Sequence, residues 1–423
     1  MAKVKITGHA SGSGVLTITA PNTSTDRTVT LPDSTGTLLD TTSGLDATKL
    51  SGNLPAISAA SLTNVPKDVT VGGRKNLIIN GDMEVAQRAT TSSATGVKTV
   101  DRWNMGASVG ATQSKLALTS GAAFDAGFRS SYKITNTGAI SDTAGGYVSC
   151  FQYIEAQDLA KSGWNYTSSS NFITISFWIK SSIAGTYYVN PMSQDGTKKV
   201  YPQSFSLNAN TWTKVEKTYA GVSGLEFAND TGRGMQLHIS PFYGTNFTDS
   251  GVSTSAWSNY GSATRFPDYA QNWGASTGAT WEITGVQLEL GSVATDFEHR
   301  SFGEELALCE RYYQKTLDYG TAVGTQTNNG INYIGGCVYG NTTSGYIAGT
   351  VHLNKPMRAT PTVQTYDGNA LAGKVGRDNY AVNNGQGQTR NIQQQNDRTF
   401  QIDSSGSHTA NVLIFHYTAD AEL

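Results

Sequence analysis

Apolar and polar residues alternate along much of this chain, with the period of two that is typical of β-strands. The clearest case is the run 172–180, where isoleucine or phenylalanine occupies every odd position. The run 234–242 repeats the pattern, with Met, Leu and Ile at 235, 237 and 239 and polar Gln and His between them. Both runs predict strands that bury one face against a core.

A later strand changes phase along its length. Trp281 and Ile283 share one phase, whereas Val286 and Leu288 take the opposite one. Gly285 lies at the slip, and glycine tolerates the backbone conformation that an extra strand residue requires. The pattern therefore predicts a β-bulge at Gly285.

A helical pattern interrupts the strands at 301–314. Ser301 and Glu304 have the spacing of a capping box, which satisfies backbone N–H groups at a helix start. The residues predicted to share its apolar face are Phe302, Leu306, Cys309 and Tyr313. We expect this helix to connect two β regions.

Strand patterns resume after the helix, at 333–339, 346–353, 399–403 and 410–417. Between them, 383–395 is rich in Asn, Gln and Gly and is predicted to be a loop or a polar patch buried in a trimer, with low-complexity disorder as the alternative. At the other end of the chain, 1–73 holds short β patterns closed by prolines but few large apolar residues, so it cannot bury a core of its own.

The predicted fold is therefore mainly β, in four regions. They are an extended β/coil region at 1–73, a β-sandwich of the jelly-roll type at 74–300, the connecting helix at 301–314, and a C-terminal β-sandwich at 315–423. A disordered linker is the alternative for the first region.

The composition argues against nucleic-acid binding and against a membrane span. Only 15% of residues are charged and the net charge is −2, so no basic footprint for nucleic acid is present. Neither an apolar run long enough to cross a membrane nor a signal-peptide pattern occurs. The three cysteines, at 150, 309 and 337, lack metal-site spacing and are expected to be buried free thiols, as suits folding in a bacterial cytoplasm.

Catalytic patterns are not found. The six histidines are scattered, and no nucleophile elbow or phosphate-binding loop occurs. Five acidic residues lie in predicted loops and are expected to be turn residues: Asp195, Glu226, Asp230, Asp249 and Asp268. Two alternatives stay open: a pair of distant carboxylates that converge on a sugar, and a structural calcium ion held by loop oxygens. We predict no catalytic residue, no cofactor and no metal site.

Aromatic residues in polar loops are the candidates for binding. Sugars offer hydroxyl groups and an apolar ring face that stacks on aromatic side chains. The candidate residues are Trp257, Tyr260, Arg265, Asp268, Tyr269 and Trp273 in the stretch 242–273, Trp178 on the predicted strand, and Trp164 with Tyr166 in a Ser-rich loop. A subunit interface or packing inside a loop is the alternative for these residues, since Tyr and Trp are also enriched at interfaces. Three further tryptophans are expected to pack in the core or at strand edges: Trp103, Trp212 and Trp281.

Several runs resemble the tail fibre and receptor-binding proteins of tailed bacteriophages, especially those of marine and cyanobacterial hosts. The first are Leu-Thr-Ile-Thr-Ala-Pro at 16–21, Arg-Thr-Val-Thr-Leu-Pro at 27–32 and Asp-Ser-Thr-Gly-Thr-Leu-Leu at 33–39. The others are 74–88 with Val-Asp-Arg-Trp at 100–103, and 286–300 followed by 304–313.

The resemblance implies an adhesive function in the virion. It implies a homotrimer assembled in the host cytoplasm, in which 1–73 docks on a tail adaptor or nozzle protein and 315–423 forms the distal tip. The region 74–300 would be a carbohydrate-binding-module-like jelly roll that forms the shaft or body, and the β domains would adhere to host surface polysaccharide or lipopolysaccharide. No partnership with nucleic acid and no membrane insertion is implied. A purely structural virion protein and, less so, a polysaccharide depolymerase are the alternatives.

Deleting residues 1–66 tests the assignment of the first region. We expect the shortened chain to fold as a trimer and to adhere to host cells, because the downstream β regions have their own apolar patterns. It should no longer join the particle. Incorporation into virions, followed by immunoblotting of purified phage, checks this; a shortened chain that still co-purifies with particles would contradict it.

Overall fold

Strands dominate the computed structural model, which describes residues 75–423 apart from 109, 141–143, 336–337, 340–345, 378–387 and 406–411. Strands account for 41% and helices for 6% of these residues, which confirms the predicted mainly β class. The described residues belong to one compact unit. The extended region predicted at 1–73 lies outside the described residues, and the other region boundaries stay predictions.

The elements of the N-terminal part form a two-sheet sandwich. Its strands are β1 (Thr91–Ser92), β2 (Asn104–Ala107), β3 (Ala111–Ala117), β4 (Ser130–Asn136), β5 (Tyr147–Glu155), β6 (Phe172–Ser181), β7 (Gly185–Ser193), β8 (Lys199–Val200), β9 (Gln203–Leu207), β10 (Thr213–Ala220), β11 (Arg233–Ser240), β12 (Phe242–Tyr243), β13 (Ser258–Asn259) and β14 (Thr280–Leu290). Two short helices interrupt them: α1 (Ala122–Asp125) and α2 (Ala156–Ala160).

Six strands form the first sheet in the order β1-β3-β4-β14-β6-β10, and eight form the second in the order β12-β5-β11-β7-β8-β13, with β2 beside β5 and β9 beside β7. The strands within each sheet are antiparallel. One large apolar core contains residues of both sheets. This is the architecture of a β-sandwich, as the alternating patterns predict.

The two clearest predicted strands are confirmed as β6 and β11. Side chains at 173, 175, 177 and 179 on β6 are fully buried, and so are those at 235, 237 and 239 on β11. Burying one face of each strand against the other sheet stabilises the fold by about 1.5–3 kcal/mol for each large apolar side chain.

The predicted β-bulge is present on β14. Its register against β6 shifts between Thr284 and Gln287, and Gly285 has a φ of 62°. A Cβ atom on Gly285 would lie 2.4 Å from the ring of Phe128. Glycine is therefore required both by the left-handed backbone and by the close approach of an aromatic ring.

The predicted helix exists as α3 (Phe302–Glu310), and the capping box of Ser301 and Glu304 is confirmed. It ends before Tyr313, because the backbone from there enters strand β15 (Tyr313–Lys315) and pairs with the C-terminal strand. Cys309 is buried, but Phe302 is 46% exposed, so the predicted apolar face was wrong at its first residue and its last. The helix packs on Ile79 and Val85 at the start of the sandwich.

The remaining strands form the C-terminal part. They are β16 (Asn332–Gly335), β17 (Val338–Tyr339), β18 (Tyr346–His352), β19 (Thr362–Tyr366), β20 (Lys374–Arg377), β21 (Gln388–Thr389), β22 (Asn391–Gln393), β23 (Thr399–Ser405) and β24 (Val412–Asp420). β24 pairs with β15, β16, β19 and β20, and β18 pairs with β17 and β23. The predicted loop at 383–395 was wrong at 388–389 and 391–393, which are strands held by pairing with β20 and β23. Residues 383–387 lie outside the described residues, and the alternative of a polar patch buried in a trimer stays a prediction.

Ion pairs with buried or partly buried members join the two β parts. Arg88 of the sandwich contacts Asp101, Asp420 and Glu422, and Arg102 bonds the same Glu422. Glu155 accepts hydrogen bonds from Arg311 at 2.7 Å and from Tyr312 at 2.5 Å. Separating the two parts would be costly at Arg102 and Glu155, since both side chains are buried and each has a single ion-pair partner across the junction.

Two of the cysteines, Cys150 and Cys309, are buried and free, as predicted, and Cys337 lies outside the described residues. Among the described residues, no helix combines the length and apolar character needed to cross a membrane.

Replacing Gly285 by alanine tests the bulge. We expect Gly285→Ala to lower the free energy of unfolding by about 1–3 kcal/mol, because the new Cβ meets Phe128 and the backbone is left-handed. Gly278→Ala is the matched control, since Gly278 has a φ of 85° and no atom within 4 Å of the position that a Cβ would occupy. Chemical denaturation of the two variants measures the difference; equal destabilisation would show that Phe128 is not in the way.

Candidate functional site

The outer face of the second sheet is shaped by the alternation of side chains on β5 and β11. Phe151 on β5 is opposite His238 on β11, and on its other side it is opposite Asn104 on β2. Residues opposite each other in antiparallel strands point to the same side of the sheet. Since Val148, Cys150 and Ile154 point into the core, their neighbours on β5 face outwards.

A cleft of about 580 Å³ lies on this outer face. Its lining residues come from strands β2, β5, β11 and β12 and from segments outside the strands: Thr95, Gly96, Asn104, Met105, Gly106, Ala107, Tyr147, Ser149, Phe151, Gln236, His238, Tyr243, Phe247 and Arg265. One wall is the segment before β2, where Gly96 and Met105 exchange backbone hydrogen bonds. The other wall comes from the chain between β12 and β14, where Phe247 follows β12 and Arg265 follows β13.

Aromatic rings form much of the cleft surface. Tyr147 stacks on Tyr243 at a centroid distance of 5.8 Å, and Phe247 meets Tyr147 edge-on at 5.5 Å. Phe151 contacts Tyr153 on the same face of β5. Tyr147, Phe151 and Phe247 are half-buried, so each ring keeps surface that a ligand can cover.

Polar groups stand beside these rings. Ser149 is at the bottom of the cleft, where its hydroxyl accepts a hydrogen bond from the backbone N–H of Gly106. Asn104 and Gln236 supply amide groups, each of which offers donors and an acceptor. The arrangement combines flat apolar surface with groups that can form directed hydrogen bonds.

His238 is the buried polar residue of the cleft. Its side chain is 1% exposed, and Nδ1 lies 3.4 Å from the hydroxyls of Ser240 and Tyr243. No group of the described residues bonds its Nε2. Burial, with a smaller contribution from the charge of Arg265, lowers the pKa of His238 to about 3, so the imidazole is neutral at physiological pH.

Arg265 places a positive charge over the rings. Its guanidinium carbon lies 5.4 to 5.6 Å from the ring centroids of Phe247, Tyr260 and Tyr243. One terminal nitrogen donates to the Tyr260 hydroxyl at 2.8 Å, and Nε has no partner among the described residues. The backbone of this residue is held in place because Asn190 donates to its carbonyl oxygen.

Of the residues proposed from sequence, Arg265 lines the cleft, and Tyr260 accepts a hydrogen bond from the Arg265 guanidinium. Asp268 is exposed and accepts a hydrogen bond from Thr248, while Tyr269 is half-buried and packs edge-on against Tyr188 beneath the loop. These contacts support the loop that carries Arg265.

Two of the proposed tryptophans belong to the core, and this corrects their candidacy as ligand contacts. Trp273 has no exposed surface and donates to the carbonyl oxygen of Thr280, while Trp164 is 4% exposed and packs on Phe227. Their rings are used to fill the sandwich, so packing inside a loop is the correct alternative for them. Trp103 and Trp281 are likewise fully buried, as expected.

The other proposed aromatics lie elsewhere on the sandwich. Trp257 is half-buried against Tyr201 and donates to the carbonyl oxygen of Ala220, and Tyr166 packs on Phe227. Trp178 is on the outer face of the first sheet, in a second cleft of about 300 Å³ that also contains Phe297 and His299. The structure therefore separates residues that the sequence grouped by proximity and composition.

The sequence analysis missed Tyr147 and Phe151 as partly exposed aromatics of the cleft. A signal was present, because small or apolar side chains at 148, 150 and 154 alternate with Tyr, Ser and Phe at 147, 149 and 151. An aromatic side chain on the outward phase of a strand is a candidate for exposure. Among the described residues, no group of three or more His, Cys, Asp or Glu side chains is placed to hold a metal ion.

Comparison with known proteins finds weak similarity to solved structures and no match of other kinds. No family model and no curated protein matches this chain. Among solved structures, the enzymatically active domain of tailspike protein 4 of bacteriophage CBA120 is 10% identical with a TM-score of 0.27, covering 49% of this chain and 22% of that chain. A family 11 carbohydrate-binding module from Clostridium thermocellum is 14% identical with a TM-score of 0.24, covering 49% and 98% respectively. The tripod from the baseplate of bacteriophage Tuc2009 is 13% identical with a TM-score of 0.23, covering 54% and 59%.

The buried histidine predicts a pH dependence of stability. The unfolded chain protonates a histidine below pH 6.5, whereas the folded chain keeps His238 neutral down to about pH 3. Stability from this site is therefore complete above pH 6.5 and falls as the pH is lowered, by about 2 kcal/mol at about pH 5. Urea denaturation of the wild type and of His238→Gln, above pH 6.5 and at about pH 5, measures this loss of stability. The wild type should lose more stability on acidification than the variant. Parallel losses would contradict the burial of a neutral imidazole.

Proposed function

We propose that this protein is an adhesin of a tailed-phage fibre and that the cleft on its second sheet binds a glycan. The observation that carries the proposal is the combination of half-exposed rings at Tyr147, Phe151 and Phe247 with hydrogen-bonding groups in one open cleft. The tail-fibre assignment is supported by the sequence runs that resemble such proteins.

The chemistry of the cleft suits a saccharide. A pyranose ring has an apolar C–H face that packs on an aromatic ring, and hydroxyl groups around its edge. In the proposed complex, rings of Tyr147 and Phe151 cover the apolar face of a sugar while Asn104, Gln236 and Ser149 bond its hydroxyls. The volume of the cleft, about 580 Å³, lies within the range of small-ligand sites.

Adhesion would depend on the number of sites rather than on one strong contact. In the proposed homotrimer, three clefts face the same host surface, and residues 1–73 hold the fibre on a tail adaptor or nozzle protein. Linking weak sites raises avidity by about 10²–10⁴ when the geometry permits simultaneous binding. The proposed receptor is host surface polysaccharide or lipopolysaccharide, and no chemical conversion of it is part of the proposal.

Substituting one aromatic residue on each face of the sandwich tests the proposal. Phe151→Ala removes a ring from the proposed cleft, and Trp178→Ala removes a half-buried ring from the opposite sheet. We expect Phe151→Ala to weaken binding to an array of bacterial capsular and lipopolysaccharide glycans by about threefold to tenfold, because an aromatic contact is lost. Trp178→Ala should leave the affinity unchanged, and thermal unfolding shows that each variant folds.

Other outcomes assign other functions. Loss of binding only in Trp178→Ala would place the site on the first sheet, and binding unaffected by either substitution would place it elsewhere on the chain. Absence of glycan binding by the wild type would favour a purely structural virion protein. Release of reducing sugar from a bound polysaccharide during long incubation would instead identify a depolymerase. Each of these results contradicts the proposed adhesive cleft.

A further inference from the structure

The lining of the cleft carries a positive charge and no negative one among the described residues. No carboxylate is among the lining residues that the structure describes, and His238 is neutral. Arg265 is the charged residue of the lining. The chain as a whole has a net charge of −2, so this local positive charge is not a property of the entire surface.

Arg265 differs from the ion-paired arginines at the junction of the two β parts. Arg88 and Arg102 contact Glu422, and Arg311 contacts Glu155. Arg265 forms no ion pair with a described residue, and its guanidinium donates to the neutral hydroxyl of Tyr260. Its Nε is shielded from solvent by the protein yet donates to no described group. A partly desolvated guanidinium without a carboxylate is a site for an anion.

A second cation lies at the rim. A Cβ atom placed on Gly96, which lines the cleft, would be 3.6 Å from Cε of Lys98. Lys98 is exposed and forms no ion pair with a described residue. Its charge therefore adds to that of Arg265 in attracting an anion towards the cleft.

We propose that the cleft selects an acidic saccharide, whose carboxylate or sulfate group is bound by Arg265. This inference rests on the proposed function and names the chemical class of glycan. The aromatic surface of Tyr147 and Phe247 holds the sugar ring, and Nε2 of the neutral His238 is left to bond a hydroxyl of the same unit. A charge-assisted bond to guanidinium is stronger than a bond to a neutral hydroxyl, so it discriminates acidic from neutral sugars.

The experiment uses the full chain and matched pairs of probes. The carboxylate probe is an alginate oligosaccharide with its carboxyl-reduced counterpart, and the sulfate probe is a carrageenan oligosaccharide with its desulfated counterpart. We expect at least one acidic probe to bind about tenfold to a hundredfold more tightly than its neutral counterpart in calorimetry. The two pairs show which anion is preferred.

Variants of Arg265 connect the preference to this residue. Arg265→Gln should abolish the difference between acidic and neutral probes, and Arg265→Lys should retain part of it because the charge remains. Arg129→Gln is the matched control, since Arg129 also lies over an aromatic ring, that of Phe124, but does not line the cleft. We expect this control to bind all probes as the wild type does.

The results separate this inference from the proposed function. Equal binding of acidic and neutral probes by the wild type overturns the acidic preference but leaves glycan binding intact. Failure of every acidic probe to bind also overturns it, and unchanged array binding by Phe151→Ala overturns the adhesive cleft itself. If Arg265→Gln does not fold, the salt dependence of the wild type decides. An ionic contact is contradicted if the affinity for the acidic probe stays the same when NaCl is raised from about 50 to about 300 mM.

Discussion

The alternation of side chains along the paired strands β5 and β11 is the constraint on which both the core and the cleft depend. Each strand sends its apolar side chains into the sandwich, and the register then determines which residues share the outer face. A shift of one residue would bury Phe151 and His238 in the core and expose the side chains that now fill it. The cleft is thus held in shape by the same pairing that stabilises the fold.

The charged side chains at the junction and in the cleft have different surroundings. At the junction of the two β parts, arginines and carboxylates neutralise one another, and burial alone would raise the pKa of Glu155, but hydrogen bonds from Arg311 and Tyr312 lower it below its usual range. In the cleft, by contrast, Arg265 has aromatic rings and a hydroxyl for neighbours. The paired charges join parts of the chain, whereas Arg265 is the unpaired charge for which we propose an anionic ligand.

Local patterns predicted the elements well and the site poorly. The strands β6 and β11, the bulge at Gly285 and the cap at Ser301 each follow from neighbouring residues, because backbone geometry and periodicity are local properties. Trp273 and Trp257 were grouped with Arg265 because they are close in sequence, yet the loop that carries them folds so that Trp273 is fully buried. Which side of a loop is covered depends on the strands beneath it, and those come from distant parts of the chain.

The sequence by itself determined a mainly β chain with a sandwich, a capped helix and buried free cysteines, since each depends on periodicity, capping or side-chain polarity. Only the tertiary structure decided that Tyr147, Phe151, His238 and Arg265 meet in one cleft. These residues are separated by up to 118 positions along the chain. Pairing of β5 with β11 brings Phe151 and His238 together, and a hydrogen bond from Asn190 holds the backbone of Arg265 beside them. Long-range register therefore decides the site, because it sets which outward-facing side chains become neighbours.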